Sequence, residues 1–179
     1  MSGAYAAPSL GVFAMRQSII LAAGLFAAAL AAGPGAAQAP SAQDFVNKVA
    51  ISDMFEVQSS QIALAKQPDA DTKPFAEKMV TDHQKTSSEL KALVDSGKVK
   101  AKLPTALDSE HQKMLDDLKA KSGKDFDQSY DQVQVKGHKD AVALFESYAK
   151  SGDDPELKRW AAKTLPHLKE HLSMAEKLK

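Results

Sequence analysis

Beyond position 40 apolar residues return every three or four positions, the period of a helix with one buried face. A first helix is predicted over residues 41–67. Ser41-x-x-Asp44 opens it with the spacing of a capping box, Asp replacing Glu, and Phe45, Val49, Ser52, Glu56, Ser59 and Ala63 form its inner stripe. Pro68-Asp69-Ala70-Asp71 reads as a turn. The second helix starts at Asp71 or Thr72, tolerates Pro74 in its first turn and stops at Gly97, with Ala76, Met79, His83, Thr86, Leu90 and Leu93 inward. A basic connection ending at Pro104 leads to a shorter helix over about 105–121. The third long helix covers 125–151, with Phe126, Tyr130, Gln134, His138, Ala141, Phe145 and Tyr148 along one side. Asp154-Pro155-Glu156 then supplies cap, proline and acid in the order a helix start requires. The stripe of this fourth helix is Leu157, Ala161, Thr164, Leu168, His171, Ala175 and Leu178, and Pro166 is expected to interrupt and kink it. Short loops within each pair and a longer crossover between pairs make an all-α, antiparallel four-helix bundle with a short extra helix in the crossover.

The first thirty-nine residues follow a different pattern. Arg16 precedes an uncharged apolar run over 19–32, and Gly33-Pro34-Gly35 and a small-residue stretch, Ala36-Ala37-Gln38-Ala39, follow it. A basic residue, a short apolar segment and A-x-A make a secretory signal. The run is shorter than the roughly 20 residues needed to span a bilayer. Residues 1–14 carry no charge, so Met15 is the more natural start. The expected organisation is a signal peptide over 1–39 and one domain over 40–179, exported and soluble, most simply in a bacterial periplasm.

Composition narrows the function classes. Lys and Arg total 23 and Asp and Glu total 23, a balance that argues against a nucleic-acid partner. The absence of cysteine excludes disulfides, thiolate metal sites, iron–sulfur clusters and a lipoprotein anchor. No Glu is followed three residues later by His, so the ligand pairs of di-iron carboxylate bundles are missing. Hydrolase and phosphate-loop motifs are also missing, which argues against an enzyme.

Each long stripe nevertheless carries one residue able to bind a metal: Glu56, His83, His138 and His171. Burying a carboxylate or imidazole is costly unless it is paired or bound. Glu56 and His83 are equidistant from the first turn and so lie at one level. His138 and His171 are centred slightly beyond theirs, an offset of about 4–5 Å along the helix. Three imidazoles and a carboxylate suit one transition-metal ion (zinc, iron, copper or nickel) and not calcium or magnesium. The same residues are equally open to a metal-free reading, as a hydrogen-bonded polar cluster in the core. His167, four residues before His171, and Asp82 form a second tier, with His167 expected at the surface or rim. Asp82 is expected to support a histidine or pair with a lysine. His111 reads as solvated.

Several strings carry a family resemblance. Residues 45–64 with Glu56, the string Phe75-Ala76-Glu77-Lys78-Met79-Val80-Thr81-Asp82-His83, the string Phe126-Asp127-Gln128-Ser129-Tyr130, His138, and Leu165-Pro166-His167-Leu168-Lys169-Glu170-His171 resemble the domain of unknown function 4142 family over residues 42–179. The resemblance implies an exported bacterial protein with a ferritin-like bundle, and implies no established activity. The outer-membrane label that members often carry finds no barrel-strand pattern here.

The leading expectation is an exported ferritin-like bundle that binds a transition metal or keeps a buried polar site, in a stress or metal-homeostasis role. The alternative is a non-catalytic structural or interaction module of the cell envelope with a metal-free His/Glu cluster. A mononuclear metalloenzyme is a third reading. No transmembrane segment is expected after signal removal, no protein partner can be named, and self-association is allowed for. Protein recovered from the periplasm is expected to begin between Gln38 and Ala42 by intact-mass measurement; a mature chain that keeps the apolar run would overturn the soluble reading.

Overall fold

Ser41 opens the first helix as its sequence predicts. Its hydroxyl accepts the backbone N–H of Asp44 at 3.2 Å and donates to the Asp44 carboxylate at 2.8 Å. The computed structural model describes residues 40–66 and 68–178, with Met1 and Gly3, so the predicted signal otherwise lies outside the described residues. Among these it contains five helices and no strand: α1 (Ala42–Ala65), α2 (Thr72–Asp95), α3 (Ser109–Ala120), α4 (Gly123–Ser151) and α5 (Pro155–Ala175).

The helix ends follow local chemistry. Asp69, in the first turn, accepts the N–H groups of Asp71 and Thr72 at 2.9 and 2.7 Å, so α2 begins at Thr72. The short helix starts four residues later than expected because Asp108 supplies the cap, accepting the His111 N–H at 2.8 Å. Asp154 accepts from both Glu156 and Leu157 at 2.9 Å, and Pro155 takes the first helical position where its missing N–H costs nothing. Pro166, expected to interrupt this last helix, lies inside an unbroken α5. Both Pro166 and Ala162, whose carbonyl the proline leaves without its helical donor, are exposed, so water can take the place of the missing bond.

Helix α1 runs along α2 and α4 runs along α5, while α1 also meets α4 and α2 meets α5. The four long helices thereby close on themselves, and α3 lies against α1 and α4. Two side chains fix the crossover. The Gln43 amide both donates to and accepts from the Lys102 backbone at 2.8 Å. Lys66 donates to the carbonyls of Lys119 and Lys121 at the end of α3, with its ammonium 5.3 Å from the Phe126 ring centre.

The interior divides into two apolar clusters. One gathers Phe45, Val49, Leu90, Phe145, Tyr148 and Trp160, and the other Phe55, Phe75, Met79, Leu115, Phe126 and Tyr130. The predicted stripes account for most buried positions. Thr86, Leu93, Ala141 and Leu178 are only half-buried, and on α1 Asp53 is buried where Ser52 was expected. In the first cluster the Tyr148 ring stacks on Phe45 with centroids 3.9 Å apart. Gly152 closes over that ring, and a Cβ there would stand 2.5 Å from a Tyr148 carbon. Tyr148 is fully buried and cannot easily give way. Gly152→Ala is therefore expected to destabilise the protein by about 1–3 kcal/mol in urea denaturation; an unchanged midpoint would show that the ring is free to move.

Candidate metal centre

Between the two apolar clusters α2, α4 and α5 each present one buried histidine. His83, His138 and His171 are 4%, 1% and 2% exposed. Their ring centres form a nearly equilateral triangle with sides of 5.6, 5.5 and 5.5 Å. One ring nitrogen from each lies within 4.8 Å of the other two.

Each ring is anchored through one nitrogen. His83 Nδ1–H donates to Asp53 Oδ1 at 2.8 Å, and His171 Nε2–H donates to Asp82 Oδ2 at 2.8 Å. His138 Nδ1–H donates to the Gln134 carbonyl, one turn earlier on α4, at 2.9 Å. Ionised carboxylates and carbonyls only accept, so these three nitrogens carry the protons. The remaining nitrogens, His83 Nε2, His138 Nε2 and His171 Nδ1, then hold lone pairs. All three are buried and have no hydrogen-bond partner among the described residues. A carboxylate or carbonyl behind an imidazole whose other nitrogen is free is the usual support of a metal-ligating histidine.

Electrostatics keeps two of these lone pairs available, those of His138 and His171. Burial holds the pKa of His138 below the usual histidine range, and the His83 charge adds to the effect. Burial likewise pushes His171 down to about 4, against the pull of Asp82. Burial acts on His83 in the same direction, but the bond to Asp53 and its charge outweigh it, and this pKa is raised. The cluster thus takes its first proton at His83. Asp53 is itself pushed up by burial, which His83 and a 3.3 Å bond from Ser87 only partly offset.

Glu56 lies beside the triangle, 2% exposed, with Oε2 lacking a partner. It is not one of the three residues whose ligand atoms converge within 4.8 Å. Gly137 makes room for it: a Cβ at that position would approach Glu56 Oε1 to 3.2 Å. A glycine in a helix interior costs about 0.5–1 kcal/mol relative to alanine, and here it clears space for a buried acid. Gln134, fully buried, also leaves its Oε1 without a partner.

Of the second tier, Asp82 supports His171 and also pairs with Lys78 at 3.0 Å. His167 is exposed on α5. His111 is half-buried, bonded to Asp108 at 2.8 Å and edge-on to Phe55. The sequence reading missed Asp53. A signal for it existed, because Val49, Asp53, Glu56 and Ser60 keep the same 4-3-4 spacing as the stripe drawn through Ser52 and Ser59.

Residues 27–178 match the family described as domain of unknown function DUF4142. The chain belongs to that family. No curated protein matches this DUF4142 chain. Among solved structures it is similar to CopM in the Cu(I)-bound form, with a TM-score of 0.61 and 16% identity over 77% of this chain and 94% of that one. It is also similar to CopM in the Cu(II)-bound form, with a TM-score of 0.63 and 16% identity over 78% of this chain and 96% of that one. At that identity the likeness establishes the fold of the DUF4142 chain.

The depressed pKa of His171 has a consequence for the metal-free protein. The unfolded chain accepts a proton on this residue below about pH 6.5, whereas the folded chain refuses it until about pH 4. Stability linked to His171 is therefore present at neutral pH and lost as pH falls from about 6.5 to 4, by up to about 3 kcal/mol. The raised pKa of His83 acts with the opposite sign: it stabilises below about pH 6.5, and the gain is lost as pH rises through its folded value. His171→Gln keeps a donor for Asp82 and removes the depressed titration. Urea denaturation at about pH 7 and pH 4.5, in chelator, is expected to show a smaller acid loss in the variant than in wild type. Equal losses would mean that His171 titrates normally.

Proposed function

We propose that this protein binds one transition-metal ion inside a ferritin-like, antiparallel four-helix bundle through His83, His138 and His171, with Glu56 as the adjacent carboxylate. One observation carries the reading: three converging imidazole nitrogens are buried, free of partners and supported from behind. Three orphaned acceptors in a core cost several kcal/mol unless something donates to them or binds them. The donor set fits a transition metal: neutral imidazoles suit copper, zinc, iron and nickel, and not calcium or magnesium. Because the CopM structures of similar fold carry copper, copper is the first ion to test, with zinc and iron after it.

A bound ion would supply the positive charge that the lone pairs and Glu56 face. The chain's own residues do the rest. Asp53, Asp82 and the Gln134 carbonyl orient the rings, and the two apolar clusters bound the layer on either side along the helices. Neither a Glu-x-x-His pair nor a nucleophile–base arrangement accompanies the site in the sequence. The activity proposed is therefore binding and buffering of the ion, in metal homeostasis or stress, rather than turnover. Export to the periplasm belongs to the same proposal and rests on the signal pattern over residues 1–39.

Metal bound only to the folded state raises the melting temperature by mass action, by about 2.7 kcal/mol at a hundredfold excess over Kd. Cu(II) or Zn(II) is expected to raise the melting temperature of wild type, and EDTA to reverse the increase. His83→Ala, His138→Ala and His171→Ala are each expected to lose most of that increment, and His111→Ala to keep it. Affinity should also fall with pH once His83 is protonated, because its proton competes with the ion. A wild type indifferent to both chelator and excess metal would leave the alternative, a structural bundle with a metal-free polar layer.

A further inference from the structure

A cleft of about 230 Å³ opens between α2 and α5, and both His83 and His171 line it. These are two of the three histidines whose buried nitrogens lack partners. The outer walls carry Asp82, Lys85 and Glu89 from α2, and Lys163, His167 and Glu170 from α5. Lys163 lies 3.9 Å from Glu89, which leaves Asp82, His167 and Glu170 as the donors nearest His171 in sequence or contact. His167 stands four residues before His171, hence one turn away on the same face of α5.

Lys78 sits at this mouth. Its ammonium is 3.0 Å from Asp82 Oδ2 and 3.5 Å from Glu170 Oε1, so it bridges the two helices between two carboxylates. The same Asp82 oxygen accepts the N–H of His171. One oxygen atom thus joins a surface cation to an inner histidine. A second cavity of about 340 Å³ also reaches His83, lined by Val49, Leu144 and Phe145 and by Asp53, whose carboxylate already holds the His83 ring. The acids at its rim are engaged, Asp108 by His111 and Asp140 by Lys136.

We infer that the α2–α5 cleft is the loading route to the buried site, with His167, Glu170 and Asp82 forming an outer station for a metal cation. The inference rests on the metal-binding reading above. An arriving transition-metal ion meets an imidazole and two carboxylates at the surface, and it takes the place that the Lys78 ammonium now holds between those carboxylates. It then needs to travel only about one helical turn to reach His171. The second cavity reaches only His83 of the three rings, so an ion entering there meets one free nitrogen where the α2–α5 cleft offers two.

The chain carries its own reporter. Trp160, the one tryptophan, donates to Glu89 in the cleft wall at 3.0 Å. Stopped-flow quenching of Trp160 by Cu(II), on full-length mature protein freed of metal, reads association, and equilibrium dialysis reads affinity. His167→Ala combined with Glu170→Gln is expected to slow association about tenfold and dissociation in proportion, leaving Kd within about twofold. Lys78→Gln, which removes the competing ammonium, is expected to accelerate association. His111→Ala, at the other cavity, should match wild type. Wild-type rates in both cleft variants, or slowing in His111→Ala instead, would overturn the route while leaving the inner site intact. A wild type that takes up no Cu(II) at equilibrium would overturn the inner site and the route together.

Discussion

An imidazole has two nitrogens, and burying it satisfies both only if the structure provides for both. In this bundle three rings are buried together, and each is held through one nitrogen alone. Two of the anchors cross between helices: Asp53 on α1 holds His83 on α2, and Asp82 on α2 holds His171 on α5. The third is local, from Gln134 to His138 within α4. The crossing bonds fix the rotation of α2 toward both of its neighbours. If α2 turned by one residue, about 100°, both carboxylate–imidazole pairs would part, leaving charged and polar groups orphaned in the core.

The polar layer is tolerable because of what lies on either side. Along α2, Met79 belongs to one apolar cluster and Leu90 to the other, with His83 between them. On α4, Tyr130 and Phe145 flank His138 in the same way, and on α5, Leu168 and Ala175 flank His171. Large aromatic contacts, such as Tyr148 on Phe45 and Phe126 on Tyr130, stabilise the two ends. The middle can therefore carry unpaired nitrogens without the bundle losing its shape. This is the arrangement a preorganised binding site requires: rings held in place by outer contacts, with the free atoms converging.

Much of this was legible in the chain because helices repeat. A period near 3.6 residues placed His83, His138 and His171 on inner faces, and the caps at Ser41 and Asp154 mark two helix starts, whereas the cap at Asp108 was not picked out. Hairpin symmetry gave their relative depth only coarsely, since it counts residues and ignores the rotation of one helix against another. Asp53 was missed because a serine one position earlier fits the stripe equally well, and burying an acid is unfavourable until its partner is known. That partner lies thirty residues away, and no periodicity reports a bond between helices. Gly137 was invisible for a related reason. Its role is to leave space for Glu56 on another helix, and only the packed structure shows which neighbour needs the room.

Charge decides what the layer can accept. Asp53 and Glu56 are 3% and 2% exposed and both act on His83 and His138, so the layer holds two buried acids and no buried lysine or arginine among the described residues. The rings are the available carriers of positive charge, and burial together with mutual repulsion disfavours a second proton among them, as the depressed pKa values of His138 and His171 record. A single proton at His83 answers part of the need at low pH. A cation held by the free nitrogens would answer more of it without requiring any ring to become charged. Proton and metal are thus alternative solutions to one electrostatic deficit, and they compete for it. An ion held as proposed is therefore expected to be released on acidification through His83 first, because that ring combines a free nitrogen with a carboxylate that stabilises its positive charge.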